Sequence, residues 1–214
     1  GYMLDGIFAV PYVKDEHYIF VLLRLCQQER LDMLIPLYEP EFVLLDSVRQ
    51  DFLSVGTTIM VSSRVVLDVC QDKWATFEFF QQHGVLTPET ELLDNYTPSR
   101  YPVFVKPRSG AGSVGAMRLD SLEHYSLYRK TIDSHKYTGT IAQSYIHGTE
   151  YTIDALLDLS GELLAAIPRR RLEVRSGEVI KSITVDRPDL ISQVQEIVRS
   201  FPSGAVGPFT LQCI

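Results

Sequence analysis

The sequence lacks any apolar run that approaches the roughly 18–20 residues of a membrane-spanning helix, so a protein without membrane spans is expected. It also lacks an excess of positive charge, because its 20 Lys and Arg residues are outnumbered by 27 Asp and Glu residues. A general nucleic-acid binder needs a basic surface that displaces counterions. Neither nucleic acid nor a membrane is therefore an expected partner of this chain.

Cysteine and metal-ligand patterns are equally scarce. The three cysteines, Cys26, Cys70 and Cys213, are odd in number and far apart, which argues against a disulfide framework and against structural zinc. The histidines share no spacing typical of a metal site. Reduced thiols in a cytoplasmic protein fit this pattern, and the chain does not open on a signal peptide.

Apolar residues, by contrast, make up 45% of the 214 residues, enough to bury a sizeable core in one large or two modest domains. Strand–helix–strand alternation predicts a small α/β domain over residues 1–61. From residue 62 onwards, closely spaced strands predict an α+β domain over residues 62–214. Phe209 to Ile214 resembles a strand that is cut off, and Gly1 to Asp5 does not resemble a native start, so we expect a fragment trimmed at both ends.

Helical spacing and capping residues place the helices, and short apolar runs place the strands. The first predicted helix starts at residue 15 or 16 and reaches about residue 29, and the others cover residues 40–52, 63–70, 72–84, 121–132 and 188–199. The predicted strands cover residues 31–35, 58–61, 90–93, 102–106, 116–119, 140–145, 151–157, 163–171, 179–185 and 209–214.

The most informative segment is an apolar strand that ends in Lys106 and leads into a loop rich in glycine and serine, residues 109–115. Such a loop lets backbone N–H groups approach an anion closely, while a lysine supplies charge to phosphates. The spacing is neither that of a Walker A loop nor that of a Rossmann fingerprint. A flexible hairpin tip with a surface lysine is the alternative.

A second segment, residues 141–154, is a strand, a break at Gly148 and another strand that opens with Glu150. The backbone at the end of the first strand is suited to an adenine edge, and a glutamate just beyond it to ribose hydroxyls. Taken alone, Glu150 is equally compatible with a solvated charge at the edge of a strand.

Together and in this order, these segments resemble the ATP-grasp superfamily, most closely its members similar to the large subunit of carbamoyl-phosphate synthase. Residues 31–36 with Glu41 are similar to the pre-ATP-grasp domain, and residues 72–74 to the entry of the nucleotide-binding subdomain. Residues 103–107 with their loop, and residues 143–150, are similar to the two central motifs. The implied fold is a partial pre-ATP-grasp α/β domain followed by an ATP-grasp fold with antiparallel sheets and a glycine-rich lid loop.

The resemblance implies a function for each matching residue. Lys73 and Lys106 would hold the phosphates of ATP under the lid, the main chain of Ser144 and Ile146 would meet adenine, and Glu150 would bind ribose. Without the motif, Lys73 would be an ordinary charge on a helix surface. The implied nucleotide ligands are Lys73, Lys106, Ser109, Gly110, Gly112, Ser113, Gly115, Ser144, Tyr145, Ile146, Glu150 and Lys181.

Three consecutive arginines end one strand, and alternation puts Arg169 and Arg171 on one face and Arg170 on the other. A guanidinium binds phosphate or acyl-phosphate oxygens bidentately, so Arg171 is the second candidate catalytic residue beside Lys106. A solvated basic edge is the alternative. Gln143, just before the hinge, is expected to support the hinge rather than to bind a ligand.

The resemblance also implies Mg²⁺ (or Mn²⁺), with Gln212 at the position of a metal-binding glutamine. In the family, a glutamate and an asparagine supply most of the metal ligands shortly afterwards, and this sequence ends at Ile214 before reaching them. Magnesium is normally fixed by carboxylates together with phosphate oxygens. We therefore expect this chain alone to be inactive, although its parent protein is expected to be a ligase.

The implied reaction is the ATP- and magnesium-dependent activation of a carboxylate as an acyl phosphate, which an amine then attacks. Positioning and charge neutralisation would carry such catalysis, and a homodimer would be unsurprising for the family. Two alternatives stay open: a non-catalytic nucleotide-binding module, and a scaffold that binds no nucleotide. The sequence does not indicate which acid and which amine react.

Overall fold

The structure, a computed structural model, describes residues 4–94, 96–110, 112–132, 139–175 and 177–214. The chain forms two compact units, of which the first ends at Arg64 and the second begins at Val65. Among the described residues, no helix combines the length and the apolar character needed to cross a membrane.

The first unit contains three helices and two short strands. The strands run parallel, with Met33 opposite Thr58 and Leu34 opposite Ile59, as the predicted α/β alternation requires. The elements are α1 (Tyr18–Glu29), β1 (Met33–Leu34), a 3-10 turn (Glu39–Glu41), α2 (Phe42–Ser47), α3 (Arg49–Ser54) and β2 (Thr58–Ile59).

Helix α1 ends at Glu29 as predicted, but it begins at Tyr18 rather than at residue 15 or 16. Its buried residues Tyr18, Leu22 and Cys26 recur every four positions and therefore lie on one face. The helix ends at Arg30, whose left-handed backbone lets the amide of Leu31 donate to the carbonyl of Cys26 at 3.0 Å.

The single helix predicted over residues 40–52 is wrong. Val48 leaves the helical region with φ −112° and ψ 15°, and this residue separates α2 from α3. The hydroxyl of Ser47 donates to the carbonyl of Leu44 at 2.6 Å, and such a local bond competes with regular helix geometry. Arg49 then ties α3 to the end of the unit, donating to the carbonyls of Ile59 at 3.2 Å and Val61 at 2.7 Å.

In its described residues, the second unit contains four helices and two antiparallel sheets. Its helices are α4 (Arg64–Gln71), α5 (Lys73–Gln82), α6 (Leu122–Thr131) and α7 (Pro188–Ser200). Its strands are β3 (Thr90–Leu92), β4 (Val103–Pro107), β5 (Met117–Leu119), β6 (Thr140–Ser144), β7 (Tyr151–Leu157), β8 (Leu163–Arg175), β9 (Glu178–Thr184) and β10 (Gly207–Cys213).

One sheet has the strand order β3–β6–β4–β5. Val103 and Val105 are fully buried and pack with Leu119, Ala142 and Tyr125 into a hydrophobic cluster on one side of this sheet. Because side chains alternate along a strand, Lys106 lies on the opposite side. The buried face of β4 thus holds the strand in place and presents its lysine to the other face.

The other sheet has the strand order β10–β7–β8–β9. Ile153, Ala155 and Leu157 of β7 pack against Leu190 and Val194 of α7, and this apolar layer covers one face of the sheet. The residues that alternate with them, Thr152 and Asp154 among others, lie on the opposite face. The predicted mixture of helices with antiparallel sheets is confirmed.

Two strands of the structure differ in length from the predictions. The predicted strand over residues 31–35 is reduced to Met33 and Leu34. Strand β8 continues past Arg171 to Arg175, because Arg175 still pairs with Glu178 of β9 across a tight turn. A hairpin at the edge of a sheet keeps its backbone hydrogen bonds without needing an apolar side-chain pattern.

Candidate nucleotide site

Two lysines from different elements lie close together in the second unit. Lys73 is the first residue of α5, a helix that begins there because the Asp72 side chain accepts a hydrogen bond from the Trp74 amide at 2.9 Å. Lys106 stands near the end of β4. Burial and, to a smaller extent, the positive charge of Lys73 together lower the pKa of the Lys106 ammonium group from 10.5 to about 8. The structure thus brings together the two lysines predicted to bind phosphates.

The glycine-rich loop, residues 109–115, connects β4 to β5 and is exposed where the structure describes it; Ala111 lies outside the described residues. Gly110, Gly112 and Gly115 have positive φ values of 103°, 68° and 75°. A backbone of this kind turns its N–H groups inward more readily than a regular strand does. The Lys73 ammonium donates to the carbonyl of Gly110 at 2.8 Å, so the loop begins directly beside the lysine pair.

The far side of this loop contacts the turn between β8 and β9. A β-carbon placed on Gly177 would overlap the hydroxyl oxygen of Ser113. The carbonyl of Gly177 in turn accepts a hydrogen bond from the Arg171 guanidinium at 3.1 Å. The loop that follows Lys106 is therefore connected, through one glycine, to the predicted catalytic arginine.

The predicted adenine hinge follows β6. The amide of Ser144 donates to the carbonyl of Glu89 at 2.9 Å, and that of Tyr145 donates to the carbonyl of Pro102 at 3.4 Å. Both amides are therefore occupied within the protein, whereas the main chain of Ile146 has no hydrogen-bond partner among the described residues. Of the three predicted hinge residues, Ile146 offers the main-chain groups best placed for an adenine edge.

Side chains around the hinge hold its shape. The guanidinium of Arg118 stacks over the Tyr145 ring, 4.6 Å from its centroid, and His147 meets the same ring edge-on at 4.7 Å. The Gln143 amide donates to the hydroxyl of Thr90 at 2.8 Å. Gln143 thus bonds across the sheet, in keeping with its predicted part in supporting the hinge.

Glu150, Arg171 and Gln212 lie together on the open face of the second sheet. The Arg171 guanidinium is 2.9 Å from the Glu150 carboxylate and donates to the Gln212 amide oxygen at 3.5 Å. The Arg171 side chain is only 8% exposed, and its Nε has no hydrogen-bond partner in the described structure. The same holds for the buried hydroxyl of Thr152, which lies opposite Gln212. Two buried polar atoms on this face therefore have unused hydrogen-bonding capacity.

Arg169 lies on the same face as Arg171 but is engaged differently. It forms a bidentate pair with the Asp154 carboxylate at 2.5 and 3.1 Å and donates to the Ser182 hydroxyl at 3.0 Å. Arg170 is exposed on the other face. Arg171 is thus the arginine of this run that the structure places with other predicted ligands.

Lys181 is the predicted ligand that the structure sets apart. Its neighbour Ser182 lies on the open face of the sheet, because Ser182 bonds to Arg169. Strand alternation therefore places Lys181 on the opposite face, where it pairs with Glu173 in the β8–β9 ladder and is exposed to solvent. The face of Lys181 relative to the arginines follows from the pairing of Ser182 with Arg171, a register that the sequence did not reveal.

Sequence reasoning also missed three residues of the site. The sequence places Asp72 in the motif over residues 72–74 but predicts no side-chain partner for it, and it predicts no contact for Arg108 or Gly177. Arg108 carried a usable signal, since a cation directly follows the strand that holds Lys106. Gly177 stands in a two-residue turn between charged strands, which marks a hairpin but not its contact with Ser113.

The residues present fit nucleotide phosphates better than they fit a metal ion. The paired lysines form an electropositive pocket that an anion would stabilise. Gln212, the predicted metal ligand, has Arg171 rather than a carboxylate at its amide oxygen, and the described part of the chain contains no cluster of three or more His, Cys, Asp or Glu side chains suited to a metal. Gln212 alone does not make a magnesium site.

A separate groove of about 400 Å³ lies between α5 and the residues that follow α7. Phe79, His83 and Pro202 are among its lining residues, and none of the predicted ligands lines it. This groove is therefore not the predicted nucleotide site.

Comparison with known proteins identifies the family. Residues 70–209 match the family model of the ATP-grasp domain, and residues 1–60 match that of the PylC-like N-terminal domain. The chain belongs to the ATP-grasp family, which confirms the predicted superfamily and fold.

Two relatives and one solved structure illustrate the likeness. The D-alanine–D-alanine ligase of Thermotoga petrophila is 31% identical over 109 residues, or 48% of this chain and 36% of the ligase. The carbamoyl-phosphate synthase of Methanobrevibacter smithii is 22% identical over 172 residues, or 77% of this chain and 44% of the synthase. The chain thus spans less than half the length of these relatives.

The solved structure is the biotin carboxylase domain dimer of the Hydrogenobacter thermophilus 2-oxoglutarate carboxylase, in complex with MgADP, ADP and bicarbonate. Its TM-score is 0.69 at 16% identity, and the match covers 96% of this chain and 50% of that one. At this identity the likeness shows the fold alone.

Proposed function

We propose that this chain is the nucleotide-binding part of an ATP-dependent ligase that joins a carboxylate to an amine. The observation that carries the proposal is the juxtaposition of Lys73 and Lys106 at the start of the glycine-rich loop. Two like charges held together in a half-buried place are costly without an anionic ligand. Family membership supports ATP as that ligand, and the relatives that carry the name of ligase support the reaction class.

The chain's own residues would position ATP and neutralise the charge of its phosphates. When bound, ATP would supply the phosphoryl group that turns a carboxylate into an acyl phosphate, with ADP leaving and phosphate displaced later by the amine. Lys73 and Lys106 would neutralise phosphate oxygens, the loop over residues 109–115 would exclude water, and the unused Arg171 Nε would donate to an oxygen of the reacting group. Preorganised charge of this kind supplies most of the catalysis in phosphoryl transfer.

The remaining predicted ligands would locate the nucleoside. Ile146 would present its main chain to adenine, while Glu150 would accept from ribose hydroxyls with the carboxylate oxygen that Arg171 leaves free. We place Lys181 outside this set because of its position on the opposite face. The domain boundary that we propose lies between residues 61 and 62, and the two compact units and the two family matches support it.

Isothermal titration with ATP and with a non-hydrolysable analogue, with and without magnesium, tests the proposal. Lys106→Ala should abolish the binding heat, because it removes the half-buried cation, while Lys130→Ala on the exposed end of α6 should leave it unchanged. Equal heats for both variants would contradict the proposal. A folded, unsubstituted chain that binds no nucleotide would also contradict it.

A non-catalytic nucleotide-binding module is the second candidate function. It is favoured by one observation, that the amide oxygen of Gln212, the predicted metal ligand, accepts a hydrogen bond from the cationic Arg171. Binding of ATP without release of ADP, in the longer parent protein supplied with carboxylates and amines, would support this candidate against the ligase.

A further inference from the structure

An ion pair between Asp72 and Arg108 joins the start of α5 to the end of β4, next to the two lysines in the sequence. The Arg108 guanidinium donates through Nε to both oxygens of the Asp72 carboxylate, at 3.0 and 3.1 Å, and Nη2 donates to one of them as well. Both side chains are largely buried, with 26% of Asp72 and 31% of Arg108 exposed. Burial acts to raise the pKa of Asp72, but the hydrogen bond from Arg108 and those from the amides of α5 outweigh it, and the pKa is lowered.

The same arginine is bonded to Lys73 through its main chain. Its carbonyl accepts the Lys73 amide at 2.9 Å and the Lys73 ammonium at 3.3 Å, and its own amide donates to the carbonyl of Gly139 next to β6. Residues 72–73 of α5 are thus joined to residue 108 by side chain and by backbone. Residue 108 in turn lies two positions beyond Lys106.

We propose that the Asp72–Arg108 ion pair is a positioning device, which holds the start of α5 against the end of β4 so that the Lys73 and Lys106 ammonium groups face the same phosphates. The inference rests on the proposed function for its ligand, but the geometry concerns two residues to which that proposal assigns no contact with ATP.

The physical reason is repulsion between the lysines. Two ammonium groups brought together in the empty site repel each other, and the flexible lysine stem offers each of them an escape to solvent. The carboxylate of Asp72 and the bonds from Lys73 to the carbonyls of residues 108 and 110 oppose this escape. Preorganisation of this kind improves affinity because the ligand no longer has to order the side chains.

The helix cap and the ion pair are separable by substitution. Asp72→Asn keeps an oxygen that accepts from the Trp74 amide, so the cap of α5 survives while the charge of the pair is lost. Arg108→Gln leaves the Asp72 cap untouched and removes the guanidinium. Arg108→Lys keeps a cation but not the bidentate geometry, and Arg187→Gln removes a comparable Arg–Asp pair on α7 as a control.

Two measurements on the full chain test the positioning device. The first is the pKa of Lys106, followed through the side-chain carbon resonances of labelled protein and assigned with Lys106→Arg. The charged group that faces Lys106 among the described residues is Lys73. Asp72→Asn and Arg108→Gln should therefore raise the pKa of Lys106 from about 8 towards its usual value of 10.5, and the burial that remains should keep it from reaching that value.

The second measurement is the affinity for a non-hydrolysable ATP analogue. We expect about tenfold weaker binding in Asp72→Asn and Arg108→Gln, an intermediate loss in Arg108→Lys, and no change in Arg187→Gln.

Unchanged affinity together with an unchanged Lys106 pKa in Asp72→Asn and Arg108→Gln would overturn the positioning device. If the unsubstituted chain binds no nucleotide, the proposed function fails, and the pKa of Lys106 still decides whether the ion pair is a positioning device. Should Asp72→Asn or Arg108→Gln fail to fold by circular dichroism, the same two measurements on Arg108→Lys decide between the outcomes.

Discussion

At the scale of single residues, the ammonium group of Lys106 sits half-buried beside a second cation, and its pKa is lowered to about 8. Bound phosphates would favour the charged form and raise the pKa again, so nucleotide binding should take up a proton near this pH. Affinity for an ATP analogue should then fall roughly tenfold between about pH 7 and about pH 9. Titration calorimetry in buffers of different ionisation enthalpy measures both effects. Lys106→Arg, which stays protonated, should remove the slope, and an equal slope in that variant would refute the assignment.

Gly177 makes a second residue-scale prediction because it is the point where the glycine-rich loop contacts the β8–β9 turn. Its φ is +80°, and a methyl group there would overlap Ser113. Gly177→Ala should displace the loop and weaken the binding of an ATP analogue several-fold. It should also lower the free energy of unfolding by roughly 1 kcal/mol, because alanine is strained at a positive φ.

The matched control for this variant is Gly84→Ala, which has a φ of +68° and no atom within 4 Å of the added β-carbon. It should lose similar stability in thermal melts without losing affinity. Adding Ser113→Gly to Gly177→Ala should recover part of the binding. If Gly84→Ala and Gly177→Ala weaken binding equally, the contact with the loop is irrelevant.

The candidate site residues could be proposed from the sequence, but the side chains that each of them contacts could not be predicted. The Asp72–Arg108 pair spans 36 positions, and its existence depends on how α5 meets the end of β4. The pairing of Glu150 with Arg171 is a similar case, because two residues predicted for different parts of the nucleotide turn out to bind each other. Contacts of this kind are set by tertiary packing, which local patterns do not encode.

At the scale of elements, the contact between β7 and α7 forms the hydrophobic layer behind the open face. Leu157 is fully buried in it. Leu157→Ala should lower the free energy of unfolding by about 2–5 kcal/mol, since it removes packed atoms and leaves a cavity. Leu164→Ala on the neighbouring strand β8, where the side chain is 62% exposed, should cost far less. Urea denaturation of both variants checks the difference, and similar losses would contradict the described packing.

Elements with a regular pattern were predictable almost to the residue, as the C-terminal end of α1 and both ends of β7 show. The single helix predicted over residues 40–52 failed because a local irregularity at Val48 interrupts it. Alternation correctly separated Arg170 from its two neighbours. The face of Lys181 relative to them could not be predicted, because it depends on which residues of β8 pair with β9.

At the scale of the whole molecule, every residue proposed to bind nucleotide lies in the second unit, which begins at Val65. Among the described residues, the hydrophobic clusters under its two sheets consist of residues of that unit. A domain with its own core is able to fold alone. Residues 62–214 produced alone should therefore bind an ATP analogue within about threefold of the affinity of the full chain. Titration calorimetry and a cooperative melt test this expectation. A folded domain that binds the analogue far more weakly than the full chain, or a domain that does not fold, would contradict it.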